Sequence, residues 1–153
     1  MIKVNVISEE KSWLKKIKKR NSLFNQVCKH FPKKFRFIKK KAYLSLLLSN
    51  NDKIKILNKK FRNKNKHTDI LAFPFDKKTV NKKEFYLGDI IISFDYMDKY
   101  KKLSNKEFQK KTIKIFIHGF LHLIGYDHLV NKDYIKMLDE EKKIFKSVQK
   151  LIN

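Results

Sequence analysis

The chain has 153 residues, enough for one domain with a buried core, and its 42% hydrophobic and 13% aromatic content excludes a disordered tail. Against 38 Lys and Arg stand 15 Asp and Glu, a formal net charge of +23, which points toward polyanionic partners and away from cationic ones. The excess is nearly all lysine in a chain poor in Gly, Pro, Ala and Arg, so a composition-biased genome writes the same charge, and the balance is permissive only.

Ile2 to Ser8 alternates apolar and polar residues and reads as a strand. From Glu9 to about His30 a basic amphipathic helix carries Trp13, Leu14, Ile17, Phe24 and Val27, and after Pro32 the run KKFRFIKKK forms a basic connection. Ala42 to Leu48 is short, apolar and strand-like; Asn51 or Asp52 then caps a helix bearing Ile54, Leu57 and Phe61. The polar loop RNKNKHTD leads to two further strands, Ile70 to Phe75 (closed by Pro74-Phe75-Asp76) and Phe85 to Phe94. Ser104 and Glu107 have capping-box spacing and open a helix through Ile113, Phe116, Ile117 and Phe120 to about Leu123, where Gly125 ends it in a left-handed conformation. A final amphipathic helix starts near Lys132 and uses Ile135, Leu138, Ile144 and Phe145. With no repeat and no linker, the order β-α-β-α-β-β-α-α predicts a single α+β domain over residues 1–153, a roughly four-stranded mixed sheet with four or five helices.

A lone cysteine, Cys28, leaves no intramolecular disulfide and suits a reducing cytoplasm. The start of the chain lacks a signal-peptide pattern, and no window reaches the roughly 18 apolar residues of a membrane span, so the expectation is a soluble cytoplasmic protein without a membrane partner.

The chemistry concentrates in IHGFLHLIGYDH. His118 and His122 stand i and i+4 on one helix, so both imidazoles project from the same face, and Gly125 lets the chain turn back to present His128. Three neutral nitrogens and an open fourth position suit a catalytic transition metal, zinc first, at one ion per chain. A single histidine on an apolar helix is usually a satisfied core residue; three at this spacing among Phe120, Leu121, Leu123 and Ile124 are not explained that way. The spacing resembles the metzincin signature His-Glu-x-x-His-x-x-Gly-x-x-His, but Gly119 stands where the peptidase carries its general-base Glu, which argues against peptide cleavage. Gly119 costs the helix about 1 kcal/mol against Ala, and the reading from sequence is that it makes room for an approaching group such as substrate backbone.

HGFLHLIGYDH, together with LNKKFRNKNKHTDILAF from Leu57 to Phe73 and LGDIIIS from Leu87 to Ser93, resembles the YbeY family of bacterial endoribonucleases across nearly the whole chain; Met137 and Glu140 fit that family's C-terminal helix. The resemblance implies a zincin-like α+β fold with the metal site on a central helix. It also implies zinc held by His118, His122 and His128, and metal-dependent cleavage of single-stranded RNA. The expected role is ribosomal RNA processing at the 16S 3′ end and ribosome quality control, with ribosomal RNA, the small ribosomal subunit and ribosome-associated proteins as partners. Arg62 matches the family's arginine beside the active site. It is one of three arginines, with Arg20 and Arg36, and only a guanidinium grips a phosphate through two parallel hydrogen bonds; an exposed helix-end arginine is the plain alternative. Two departures stand out: His67 stands where the family usually has proline, which either loosens that loop or adds a weak fourth imidazole, and FQKKTIKIF lacks histidines that many members have. Asp127, Asp69 and Asp89 are candidate acceptors for the ligands' free N–H groups, and Tyr126 either donates to phosphate or packs. Two other readings remain: a zinc hydrolase of another substrate, and a ribosome-assembly factor that binds RNA without cutting it.

Overall fold

The computed structural model describes residues 1–75 and 83–153; Asp76, read above as part of a strand end, lies outside them. The elements are β1 (Ile2–Ser8), α1 (Ser12–Lys16), α2 (Arg20–Lys29), β2 (Lys41–Ser49), α3 (Asn51–Arg62), β3 (Ile70–Pro74), β4 (Glu84–Ser93), α4 (Phe94–Met97), α5 (Asn105–Leu123) and α6 (Asn131–Val148). They form an α+β arrangement around one four-stranded sheet of order β1-β2-β4-β3. β1, β2 and β4 run parallel, and β3 is antiparallel at the edge.

Among the described residues, six α-helical segments stand where the sequence pattern has four or five. The basic helix expected from Glu9 to His30 is two, because Ile17 leaves α1 in an extended conformation with its side chain buried, and the chain restarts at Arg20. The extra α4 is a single turn that carries β4 away from the sheet. The α3 cap is Asn50, one residue before the expected pair: its side chain accepts the Lys53 amide at 3.0 Å. The capping box of α5 is formed as read, with Ser104 Oγ accepting from the Glu107 amide at 3.2 Å and the Ser104 amide donating to Glu107 at 2.8 Å.

One sheet face carries the main core. Ala42, Leu44, Leu46 and Leu48 of β2 point into it by strict alternation. On β4 the inward residues are Phe85 and Leu87, then Ile90 and Ile92, so the parity switches. The cause is a β-bulge: Tyr43 pairs with Tyr86 but Leu44 with Gly88. Gly88 has φ +140°, and a Cβ there would lie 2.2 Å from the Phe73 carbonyl oxygen, which is why Leu-Gly-Asp requires glycine.

α5 lies across this face. Phe116 and Phe120 pack edge-on or tilted against Phe24 and Phe31 at ring-centroid separations of 5.0 and 4.9 Å, which anchors α5 to α2 and to the segment just after it. At Gly119 the helix lies close against the sheet. A Cβ there would be 2.7 Å from Ile70 Cδ1 and 3.2 Å from Ile90 Cγ2. Gly119 therefore makes room for β3 and β4, which corrects the reading that it leaves space for substrate. α3 covers part of the other face through Ile54, Leu57, Leu71 and Ile91.

Candidate metal centre

α5 ends in a Schellman turn. The Tyr126 amide donates to the Leu121 carbonyl at 2.9 Å and the Gly125 amide to the His122 carbonyl at 3.1 Å, with Gly125 at φ +102°. This reversal, two residues after the helix, brings the next loop back over the last turn of α5. Tyr126 is half-buried with its ring 6.3 Å from that of Phe35, so it packs and thereby holds the turn against the core.

The three histidines converge. One ring nitrogen from each of His118, His122 and His128 lies within 4.8 Å of the others. His118 Nε2 and His122 Nε2 face each other at 3.1 Å, and the ring centroids are 4.7 to 5.5 Å apart. Zinc–nitrogen bonds of about 2.0–2.1 Å in tetrahedral geometry separate two ligand nitrogens by roughly 3.3 Å, so the donor set fits a zinc-sized cation. His118 and His122 are partly buried and His128 is exposed, which leaves one side of the cluster open to solvent. Burial, followed by the neighbouring His118 and His128, lowers the pKa of His122 below its usual value; hydrogen bonding with the Tyr126 backbone and the nearby Asp127 carboxylate oppose this. The neutral ring is thus favoured, and a neutral imidazole is what a metal takes.

Of the three candidate aspartates only Asp127 is placed at the cluster. Its carboxylate accepts the His128 amide at 2.7 Å and so braces the backbone of the third histidine, not a ring N–H. Asp69 turns onto its own strand start, accepting from Thr68 Oγ1 at 3.1 Å and the Ile70 amide at 2.8 Å. Asp89 is exposed and hydrogen-bonded by the Tyr86 hydroxyl, beside Ser45. The carboxylate that does meet a clustered histidine ring is Glu141 of α6, which contacts His118 Nδ1. Only the helical period could have pointed to it: Met137, Glu141 and Ile144 share one side of α6, and Met137 and Ile144 are buried against the core. Glu140, its neighbour, instead pairs with Lys34 at 2.7 Å.

Arg62 is the last residue of α3. Its Nη2 donates to the Ala72 carbonyl at 3.1 Å, and its guanidinium lies 5.6 Å from the centre of the Phe73 ring. It is therefore fixed along β3, the strand whose Ile70 lies under Gly119 of the metal helix. His67 stands against Tyr96, ring centroids 5.3 Å apart, and is not one of the three clustered histidines. No fourth imidazole joins them among the described residues.

The family model "Endoribonuclease YbeY" matches residues 6–149. The chain belongs to the YbeY endoribonuclease family. The curated Endoribonuclease YbeY of Pelagibacter ubique is 56% identical over 149 residues, 97% of each chain. That of a Sulfurihydrogenibium species is 39% identical over 103 residues, 67% of each. Among solved structures, the solution structure of TM1509 from Thermotoga maritima is similar with a TM-score of 0.57 and 27% identity, covering 97% of this chain and 89% of that one. As a YbeY-family member the chain is placed among endonucleases, and its own residues bring together the three histidines on which metal chemistry would rest. No described helix is long and apolar enough to cross a membrane.

Proposed function

We propose that residues 1–153 act as one zincin-like domain, a cytoplasmic zinc-dependent endoribonuclease that cuts single-stranded ribosomal RNA. The activity would serve 16S 3′-end processing and ribosome quality control on the small subunit, together with ribosome-associated proteins. The observation that carries this reading is the convergence of His118, His122 and His128 with two Nε2 atoms 3.1 Å apart, open to solvent on the His128 side. One zinc ion held there would supply Lewis acidity at a phosphoryl oxygen and activate water near neutral pH.

The chain's own residues do the rest. His118 and His122 are locked one turn apart on a helix wedged against the sheet, and Asp127 fixes the backbone of His128. Arg62 is the residue we assign to the phosphate. A guanidinium has five N–H donors, and the bond to the Ala72 carbonyl leaves others free for non-bridging oxygens, where they oppose the charge that builds at the transition state. The Phe73 ring under the guanidinium restricts the plane of that fork. Peptide hydrolysis is disfavoured because position 119 carries no carboxyl group, and any side chain there would press on Ile70 and Ile90 of the sheet.

The test is to assay purified protein for bound metal and for cleavage of ribosomal RNA fragments, with and without chelator. His122→Ala should lose zinc and cleavage together. Arg62→Ala should keep zinc and lose roughly a hundredfold in single-turnover cleavage, the scale of one preorganised donor, with partial rescue by Arg62→Lys. Cleavage that survives chelation would sink the metal reading. RNA binding without any cut under all conditions would leave an assembly factor, and cleavage of a small phosphodiester with no RNA preference would leave a broader hydrolase.

A further inference from the structure

Glu141 lies beyond the histidine motif, on a different helix and 23 residues along the chain from His118, yet its carboxylate Oε1 meets His118 Nδ1. His118 Nε2 points the other way, to His122 Nε2 at 3.1 Å. The two nitrogens of one ring are thus assigned to two different tasks. Glu141 is not among the residues whose donor atoms cluster at the metal position, so it is not a fourth ligand. Its side chain is 25% exposed and that of His118 27%, a half-dry setting where a charge-assisted hydrogen bond outlasts competition from water.

We infer that Glu141 is the positioning residue of the metal centre: its carboxylate accepts the Nδ1–H of His118, holds the ring in that tautomer and orientation, and delivers Nε2 to the metal. This rests on the metal site proposed above and adds to it a residue outside the three-histidine motif. The physical case has three parts. A neutral imidazole has one N–H, and an anionic acceptor at Nδ1 places that proton there, which leaves the Nε2 lone pair free. An anionic acceptor on the far side of the ring strengthens Nε2 as a ligand. The bond also ties α6 to α5 across the site. His118 is thereby held from two helices, whereas His122 is held through its own helix and the Tyr126 turn.

The other acids of this stretch of α6 have lysine partners: Asp139 pairs with Lys143 at 2.7 Å and Glu140 with Lys34. The carboxylate that looks inward at the centre is Glu141.

The test compares wild type, Glu141→Ala and Glu141→Gln by zinc competition against a chromophoric chelator, with melting of the metal-free proteins alongside. Glu141→Ala should weaken zinc binding by roughly 10- to 100-fold, and Glu141→Gln, which keeps an acceptor oxygen without its charge, should fall between. The loss of zinc affinity in Glu141→Gln should exceed what any change in its metal-free melting accounts for, which a merely structural role for the pair would not allow. Long-range proton–nitrogen spectra of the metal-free protein at pH 7.5 should show His118 as the Nδ1–H tautomer in wild type, with the preference lost in Glu141→Ala. Unchanged zinc affinity in Glu141→Ala, or an Nε2–H tautomer in wild type, overturns the inference, as does a wild type that binds no zinc. Because none of these readouts is cleavage, a chain that loads zinc through Glu141 but never cuts RNA would keep this inference and defeat the proposed activity.

Discussion

Gly119 joins the metal helix to the sheet, and a side chain placed there should damage fold and centre together. With a Cβ at 119, Ile70 Cδ1 would stand 2.7 Å away and Ile90 Cγ2 and Cδ1 3.2 and 3.3 Å away. Ordinary contact begins near 3.4 Å, so in Gly119→Ala the end of the Ile70 side chain must retreat by several tenths of an ångström. That overpacking costs about 1–3 kcal/mol and is offset by about 1 kcal/mol from replacing glycine in a helix, which leaves a loss of roughly 0–2 kcal/mol. Gly119→Val adds two further methyl groups in the same gap, where Ile90 also stands close, and should cost about 2–3 kcal/mol. For a chain of this length that is a fall of roughly 5–10 °C in Tm. Relief comes by lifting α5, which displaces His118 and His122 together, and a metal site tolerates errors of only about 0.2 Å in its distances. Zinc affinity of Gly119→Val should therefore drop at least tenfold, read by chelator competition, with urea or thermal melts of the metal-free proteins for stability. A Gly119→Val protein with wild-type melting and wild-type zinc affinity would refute the close approach of α5 to β3.

Three other outcomes follow from the same structure and its charge. The pKa of His122 is lowered, chiefly by burial, so between its folded value and about 6.5 the unfolded chain binds the extra proton. Its contribution to metal-free stability is accordingly complete above pH 6.5 and lost as pH falls below it. A His122→Gln protein should show a flatter dependence of Tm on pH in that window, and an equal slope would remove His122 as the cause. Burial pushes the Cys28 thiol far above its ordinary pKa, so iodoacetamide should label it only on unfolding, and stoichiometric labelling of the native protein would contradict its burial between α2 and the core. RNA affinity should fall steeply from low to physiological salt as lysines release counterions; a nearly flat dependence, measured by filter binding, would make the charge of +23 a matter of composition alone.

What the sequence disclosed and what it withheld divide along a physical line. Apart from the α3 cap, which falls one residue early at Asn50, local signals held where the deciding interaction was local. The capping box at Ser104 and Glu107, the left-handed Gly125 and the alternation of β1 are settled within a few residues, and each is formed as read. The convergence of His118, His122 and His128 was legible for the same reason, because one helical turn plus one reversal is short-range geometry. Failures came where a distant partner decides. Ile17 breaks the first basic helix because its side chain is needed in the core, and no window around it records that demand. Asp69 and Asp89 looked available because strand positions adjacent to motifs are good places for acceptors, but Thr68, the Ile70 amide and Tyr86 had claimed them.

Glycine 119 and glutamate 141 show the same limit from opposite sides. From sequence, a glycine within a metal helix reads as space on the open side of the helix, because the sheet that approaches it lies in segments 29 to 49 residues earlier. The contact with Ile70 and Ile90 is long-range and invisible to any periodicity. Glu141 is likewise one acid among several on a lysine-rich helix, and its side chain meets His118 only once α5 and α6 are packed. The two residues nonetheless act on one object. Gly119 sets how far α5 stands from the sheet, and Glu141 sets how the His118 ring is turned once it is there. A metal centre assembled from a helix pair and a loop needs both distances and ring orientations fixed, and a three-histidine motif specifies neither. The motif therefore names the ligands, while packing against β3, β4 and α6 makes them a site.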